Sequence, residues 1–357
     1  MRIGVPTEIK TLEGRVALIP AAAGELINRG HEVLLQRGAG LASGYDDAQY
    51  ESLGVTLLPD AASLYEAAQL VVKVKEPLPD EYPLLRRDHV LFCYLHLAAL
   101  PELARTLQDI GLTAVAWETV EEAGRLPLLQ PMSEVAGRLA VQLASNLLYR
   151  PNHGRGLMLG GMPTTERGRV VVLGAGTVGA AAAGVAAALG AQVVGFDVQR
   201  DRLDAMHRLG ANVTALPSFA ALLEQHVAAA DVLVGGVLVP GGRAPVIVSE
   251  AMVAEMRPGS VIVDVAIDQG GCVETMHATL WDQPTYVSHG VIHFGVTNMP
   301  GAVPRTSSQA LSTALVPYLI RLAGPGGLQD PALRAGINVQ AGRIVHPAVR
   351  AALQTSA

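Results

Sequence analysis

The strongest constraint on the fold lies in residues 169–197, RVVVLGAGTVGAAAAGVAAALGAQVVGFD. Val170, Val171, Val172 and Leu173 form a short apolar, mostly β-branched run, and Gly174, Gly176 and Gly179 follow in the pattern G-x-G-x-x-G. Each glycine has its own task. Gly174 permits a tight strand-to-helix turn, Gly176 leaves bare backbone for a pyrophosphate to approach, and Gly179 lets the helix pack closely on the strand. A diphosphate placed there lies over the N–H groups of the first helical turn, which have no intrahelical acceptor. The alanines after Gly179 extend the helix at little entropic cost, and Gly190 ends it. Residues 192–196 then supply a second strand with Asp197 at its end, where a carboxylate accepts hydrogen bonds from a ribose 2′-hydroxyl. Its charge disfavours a 2′-phosphate, which points to NAD rather than NADP, a preference tempered by nearby Arg200 and Arg202.

A membrane span is the competing reading, because residues 170–196 carry no charge and are long enough to cross a bilayer. Six glycines divide the stretch, β-branched residues gather at its ends, and Asp197 closes an alternation better explained by a sheet covered on both faces. A chain of 357 residues with 50% hydrophobic residues forms two domains with substantial cores. The net charge of −6 and the lack of a basic run give no reason to expect nucleic acid. Cys93 and Cys272 are the only cysteines, too few for a disulfide framework or a clustered zinc site. They read as core residues without covalent chemistry, in a protein of the reducing cytoplasm. Glu8 follows only a few apolar residues, so neither a signal peptide nor an anchor is expected.

Residues 1–129 alternate between strand patterns at 2–5, 32–35, 55–58, 70–75, 89–95 and 113–117 and helix patterns at 21–29, 47–53, 62–68 and 101–110. That order predicts a largely parallel sheet. Pro131 and Ser133 introduce a helix over 134–150, with Ser133 as its N-cap and Val135, Leu139, Leu143 and Leu147 as its apolar stripe. Beyond Asp197 the pattern predicts helices at 202–209, 219–229 and 247–256, an edge strand near Val213, and strands at 231–235, 260–267 and 286–294. A helix over 307–323 returns to the first domain. The expected architecture is α/β, with two Rossmann-like domains of mostly parallel sheet. A nucleotide domain, 130–306, is inserted in a discontinuous substrate domain made of 1–129 and 307–357.

In open α/β sheets ligands collect outside the carboxyl ends of the strands. His96 follows the run LFCYL and Asp268 follows VIVDVAI, so both stand at strand ends, one in each domain. The simplest arrangement brings them together across the reacting end of the cofactor. A strand-end histidine can also be structural, and Asp264 is a competing acid whose place inside the apolar run suggests a supporting role. Arg15 and Lys75 supply the positive charge that a small carboxylate substrate requires. Lys10, Lys73 and Lys75 are the only lysines, and strand period puts Lys73 and Lys75 of VVKVKEP on one face. The alternative for Arg15 and Lys75 is a solvated charge at a sheet end.

These residues carry a resemblance. Through GVPTEIK with Arg15, VKVKEP, YLHLA, LPLLQPMSEVAGR, GAGTVG, GGVLVPG, VDVAIDQGGC and GVTNMPGAVPRTSS, the chain resembles the alanine dehydrogenase/pyridine nucleotide transhydrogenase family over nearly its whole length, and within it the alanine dehydrogenases. The resemblance implies reversible, NAD-dependent conversion of L-alanine and water to pyruvate and ammonium. It assigns Arg15 and Lys75 to substrate and His96 and Asp268 to catalysis. To the cofactor side it assigns Ser133, Gly174, Gly176, Thr177, Val178, Gly179, Asp197, Arg202, Val237, Leu238, Val239, Asn298 and Met299, with Ser218 near the adenine. It carries no metal site, and it implies a homohexamer with no nucleic-acid or membrane partner. Another small L-amino-acid dehydrogenase, a transhydrogenase-like protein, a saccharopine-type dehydrogenase and a catalytically silent NAD-binding sensor are the alternatives. Transhydrogenase chemistry leaves the pair His96 and Asp268 less well explained.

Overall fold

The computed structural model describes residues 1–237 and 244–355. They divide into two compact units, residues 1–132 together with those from 300 onward, and residues 133–299. In chain order the first segment holds β1 (Arg2–Val5), α1 (Pro20–Ile27), β2 (Glu32–Gln36), α2 (Asp47–Glu51), β3 (Thr56–Leu58), α3 (Ala61–Ala67), β4 (Leu70–Val72), β5 (Val90–Cys93), α4 (Pro101–Ile110) and β6 (Thr113–Ala116). Helix α5 (Gln130–Leu147) leads into the second unit. There follow β7 (Arg169–Leu173), α6 (Thr177–Ala188), β8 (Gln192–Asp197), α7 (Arg200–His207), β9 (Val213–Pro217), α8 (Ala220–Ala228), β10 (Val232–Gly235), α9 (Glu250–Ala254), β11 (Val261–Asp264), β12 (Thr285–Ser288) and β13 (Val291–Phe294). The closing segment holds α10 (Pro304–Ala323), α11 (Pro331–Ala335), β14 (Ile337–Gln340), β15 (Arg343–Ile344) and α12 (Pro347–Thr355).

Among the described residues the first unit builds an eight-stranded sheet, ordered β15-β14-β6-β5-β4-β1-β2-β3. The six strands from β6 to β3 are parallel, while β14 runs antiparallel to β6 and β15 antiparallel to β14. Local chemistry sets the helix ends that make this winding possible. Asp46 caps α2 in a reciprocal box with Gln49, Asp60 caps α3, and Pro101 opens α4. The side chains that α4 buries, Leu103, Ala104 and Leu107, recur at three- and four-residue spacing and pack on the sheet with Leu91, Cys93 and Ala114.

The second unit carries a seven-stranded sheet, ordered β12-β13-β11-β10-β7-β8-β9, with only the edge strand β12 antiparallel. Its strands read as continuous apolar runs because both faces are covered. Val170 and Val172 join one hydrophobic cluster with Val232, Val234, Val261 and Val263, while Val171 and Leu173 join the opposite one with Leu233 and Ile262. In each sheet the first strand of the unit lies between the second and the fourth in chain order, so the winding reverses at β1/β4 and at β7/β10.

Several expectations need correction. The strand expected over 70–75 ends at Val72, so Lys73 and Lys75 lie past it and share no strand face. Helix α5 starts at Gln130, which puts Ser133 inside its first turn and not at its N-cap. Pro131 falls in that turn, where a missing N–H costs nothing. The strand expected over 286–294 is a hairpin, with Ser288 opposite Val291 and His289 and Gly290 both at positive φ in the two-residue turn. The strand expected over 260–267 stops at Asp264, which caps the short 3-10 turn Val265–Gln269.

Two predictions follow from this packing. A Cβ at Gly179 would lie 1.7 Å from the Gly174 carbonyl oxygen, whereas one at Gly184 on the same helix meets nothing within 4 Å. Urea unfolding should therefore show Gly179→Ala destabilised by roughly 1–3 kcal/mol or more, and Gly184→Ala stabilised by about 0.5–1 kcal/mol; equal effects would contradict the packing described. The second concerns fully buried His293, whose Nδ1–H donates to the Val291 carbonyl (2.9 Å) while Nε2 accepts from the Thr275 hydroxyl (2.7 Å). Burial first, and then His277 and His289, hold its pKa below the ordinary 6.5, against the opposing pull of the Val291 bond. Its contribution to stability is thus complete above pH 6.5 and is lost as pH falls through the folded value. Imidazole NMR should find His293 mostly neutral at pH 6.5, and a midpoint at or above that pH would refute the assignment.

Candidate active site

A parallel sheet delivers the loops after all its strands to one edge, and the candidate residues collect there in both units. In the first unit Arg15 belongs to the segment after β1, Lys75 to that after β4 and His96 to that after β5. In the second unit the glycine loop follows β7, Asp197 ends β8, Ser218 follows β9 and Val237 follows β10. Asp268 comes after β11, and Asn298 and Met299 come after β13. Leu238 and Val239 lie outside the described residues.

Arg15 is only 3% exposed and is gripped by Glu13, which sequence reasoning missed. Nε–H donates to Glu13 Oε1 at 2.7 Å, an Nη2 hydrogen goes to Oε2, and Nη1 lies 3.1 Å from the Met132 sulfur. Burial pushes the guanidinium pKa down, but the hydrogen bonds and charge of Glu13 more than reverse this and keep it cationic. The guanidinium is therefore held in one orientation.

Lys73 is a structural residue. At 1% exposure its ammonium sits 2.8 Å from Glu81 and 3.6 Å from Glu8, and Tyr65 donates to the other Glu81 oxygen at 2.8 Å. Burial opposes the charge on Lys73, and the two carboxylates outweigh it. Glu8 also accepts the backbone N–H groups of Val74 and Lys75, so the ion cluster holds the turn that presents Lys75. Lys75 itself is buried beside Glu76.

His96 is exposed, three residues beyond β5, with φ of +49°, a left-handed conformation uncommon outside glycine. Its ring stacks on Tyr94 at 5.9 Å and 17°. Its backbone N–H donates to Glu118 Oε1 at 2.6 Å. Neither Tyr94 nor Glu118 was singled out from sequence, although Glu118 follows β6 as His96 follows β5, and that shared strand-end placement was the available signal.

In the second unit Gly174 turns at φ +86° and Gly176 is the N-cap of α6. Among the described residues no side chain caps α6 and its first turn carries no acid. The nearest atom to a Cβ built on Gly176 is Arg202 Nη1 at 3.8 Å, so the space over the helix start is open. Thr177 is exposed there and Val178 half-buried. Asp197 accepts from Ala175 N–H at 2.7 Å and Gln199 N–H at 2.8 Å, and Arg202 lies 3.8 Å from its Oδ2. Its carboxylate thus braces the glycine loop as well as closing β8. The Ser218 N–H donates to the Asp197 carbonyl, which sets Ser218 beside that acid. Open helix start, bare glycines and strand-end acid together fit the diphosphate and ribose of a dinucleotide.

Asp268 is exposed, and its Oδ1 accepts the N–H of Asn298, a residue at φ +56°. The Met299 side chain is buried in the hydrophobic cluster under the sheet. Asp264, fully buried, organises the Asp268 loop by accepting from Ala266 N–H at 3.0 Å on one side and Cys272 N–H at 2.7 Å on the other. Burial pushes both Cys93 and Cys272 thiols well up and keeps them protonated, and Asp264 adds to this at Cys272. No group of three or more potential ligands among the described residues is arranged to hold a metal, and none of their helices is long and apolar enough to cross a membrane.

Comparison with known proteins shows similarity along nearly the whole chain. Residues 4–136 match the family model "Alanine dehydrogenase/PNT, N-terminal domain" and residues 140–347 match "Alanine dehydrogenase/PNT, C-terminal domain". The chain is 50% identical to the alanine dehydrogenase of Bacillus subtilis (strain 168) over 355 residues, 98% of this chain and 94% of that one. It is 45% identical to that of Mycobacterium tuberculosis (strain ATCC 25618 / H37Rv) over 351 residues, 97% and 95% of the two chains. A solved L-alanine dehydrogenase superposes with a TM-score of 0.95 at 51% identity, covering all of both chains. A transhydrogenase from Sinorhizobium meliloti gives 0.84 at 27%, covering 98% of this chain and 100% of that one. With both units matched, the chain belongs to the alanine dehydrogenase/PNT family.

Proposed function

We propose that the chain catalyses the reversible, NAD-dependent oxidative deamination of L-alanine: alanine, NAD and water give pyruvate, ammonium and NADH. The observation that carries the reading is an oriented guanidinium, an ammonium and a histidine at one sheet edge, in a chain 50% identical to a named alanine dehydrogenase along nearly its full length. Bound nicotinamide supplies a hydride acceptor in one direction and a hydride donor in the other. Arg15 grips the substrate carboxylate, and Lys75 polarises the oxygen of the carbonyl group. Loss of hydride from the alanine α-carbon leaves an iminium, to which water adds before ammonia departs. His96 takes and returns the protons of those steps, since imidazole can act as both acid and base. Asp268 orients the water and offsets the positive charge of the iminium.

The N–H groups of Thr177, Val178 and Gly179 hold the diphosphate over Gly174 and Gly176, Asp197 binds the ribose hydroxyls with Arg202 at its rim, and Ser218 meets the adenine. Ser133, Val237, Asn298 and Met299 belong to the cofactor side. The assembly is a homohexamer of the cytoplasm without nucleic-acid or membrane partners.

NADH formation should be far faster with L-alanine than with L-lactate, L-glutamate or D-alanine. A comparable rate with lactate would remove the amino-acid reading, and NAD binding without turnover of any amino acid would favour a sensor. Cofactor choice has its own test. Asp197→Ala loosens the glycine loop for either dinucleotide, so the ratio of kcat/KM for NAD to that for NADP isolates discrimination from loop order. That ratio should drop by roughly tenfold or more, as expected from losing a ribose acceptor and a nearby charge. An unchanged ratio would hand the discrimination to Arg202.

A further inference from the structure

We propose that Glu118 is the positioning residue for His96, holding its backbone in the left-handed turn that aims the imidazole at substrate. The proposal rests on the reading of His96 as the proton-transfer group. Strands β5 and β6 pair in register, with Cys93 opposite Ala116, so the short turn Trp117–Thr119 runs beside residues 94–96. The Glu118 carboxylate meets the backbone there. Oε1 accepts from His96 N–H at 2.6 Å, and both oxygens lie 3.2 Å from Leu95 N. A 2.6 Å contact from N–H to an anionic oxygen belongs with the strong, charge-assisted hydrogen bonds.

The other hold on His96 leads back to the same two residues. Its ring stacks on Tyr94, and Tyr94 packs edge-on against Trp117 at 4.9 Å and 74°. Trp117 is fully buried and also packs against Phe92 at 5.6 Å. Tyr94 is tied down in turn by its hydroxyl, which donates to the Leu128 carbonyl at 2.6 Å. Backbone and ring of His96 are therefore both referred to the Trp117–Glu118 pair, a closed circuit through one rigid strand end. The His96 carbonyl completes the turn by accepting from Ala99 N–H at 2.9 Å. Left-handed φ is disfavoured for a residue with a Cβ, so it persists only where the surroundings impose it. The carboxylate that accepts two successive N–H groups is what imposes it here.

Glu118→Ala and Glu118→Gln in the full chain test this. NADH affinity, read by fluorescence titration, should stay within about twofold and certify the fold, while kcat for L-alanine falls roughly 10²-fold in Glu118→Ala, with KM moved less than about threefold. Glu118→Gln keeps one acceptor oxygen and should recover about tenfold of that loss. In a His96→Ala background either substitution should cost less than about twofold, because a residue acting only through His96 has nothing left to position. Full additivity in that background, or a Gln variant no better than Ala, overturns the proposal. If Glu118→Ala does not fold, Glu118→Gln carries the same cycle. A crystal structure of the folded variant judges the idea without any turnover: His96 should leave positive φ or lift from Tyr94, and an unchanged His96 overturns it. Absence of alanine turnover in the native protein would instead strike the functional reading, leaving the structural comparison to decide on Glu118.

Discussion

Parallel strands can be joined only by crossovers that carry the chain back to the same starting end, and everything else in this protein depends on that constraint. Each crossover delivers its strand's last residue, and the loop after it, to a single edge of the sheet. Arg15, Lys75, His96 and Glu118 share such an edge in one unit although they span more than a hundred residues of chain. The glycine loop, Asp197, Ser218 and Asp268 share the corresponding edge in the other. Reversal of winding at β1/β4 and β7/β10 parts the helices on the two faces and leaves a crevice at the strand ends.

Loops gathered in this way still have to be held, and carboxylates do most of that work, those of Glu8, Asp197 and Asp264 buried and that of Glu118 half-buried. Glu8 anchors the turn of Lys75, Glu118 that of His96, Asp197 the glycine loop and Asp264 the loop of Asp268. Each uses backbone N–H donors, so the acid fixes main chain and leaves the presented side chain to its own contacts. Burying such charges costs stability unless they are fully paired, and deleting one partner of a buried pair typically costs about 3–5 kcal/mol. In the cluster of Lys73, Glu8 and Glu81 the ammonium offsets part of the cost of burying the two carboxylates. Its place in the architecture is rigidity next to Lys75.

Much of the fold was legible because its signals are local. The alternation of apolar strands with capped helices, the three glycines and the strand-end acid depend on residues within a few positions of one another, and the helix at 101–110 appears with its expected bounds. Errors arose where a local pattern was cut short by a neighbour. Lys73 and Lys75 continue the alternation of β4, but the strand ends at Val72 and Lys73 pairs with Glu8 and Glu81 just beyond it. The hairpin of β12 and β13 looked like one long strand because His289 does not advertise its left-handed turn as asparagine would. Strands β14 and β15 escaped notice because they are short and take their place only by pairing with β6.

By itself the sequence determined two α/β units, a dinucleotide-type loop and the placement of His96 and Asp268 after strands, since periodicity and turn chemistry are written in adjacent residues. Only tertiary structure decided strand order and the reach of Glu118 to a backbone twenty-two residues away. Those outcomes follow from which strands lie side by side. A carboxylate shows in sequence that it carries charge, and only the register of β5 against β6 gives it the N–H of His96 to hold.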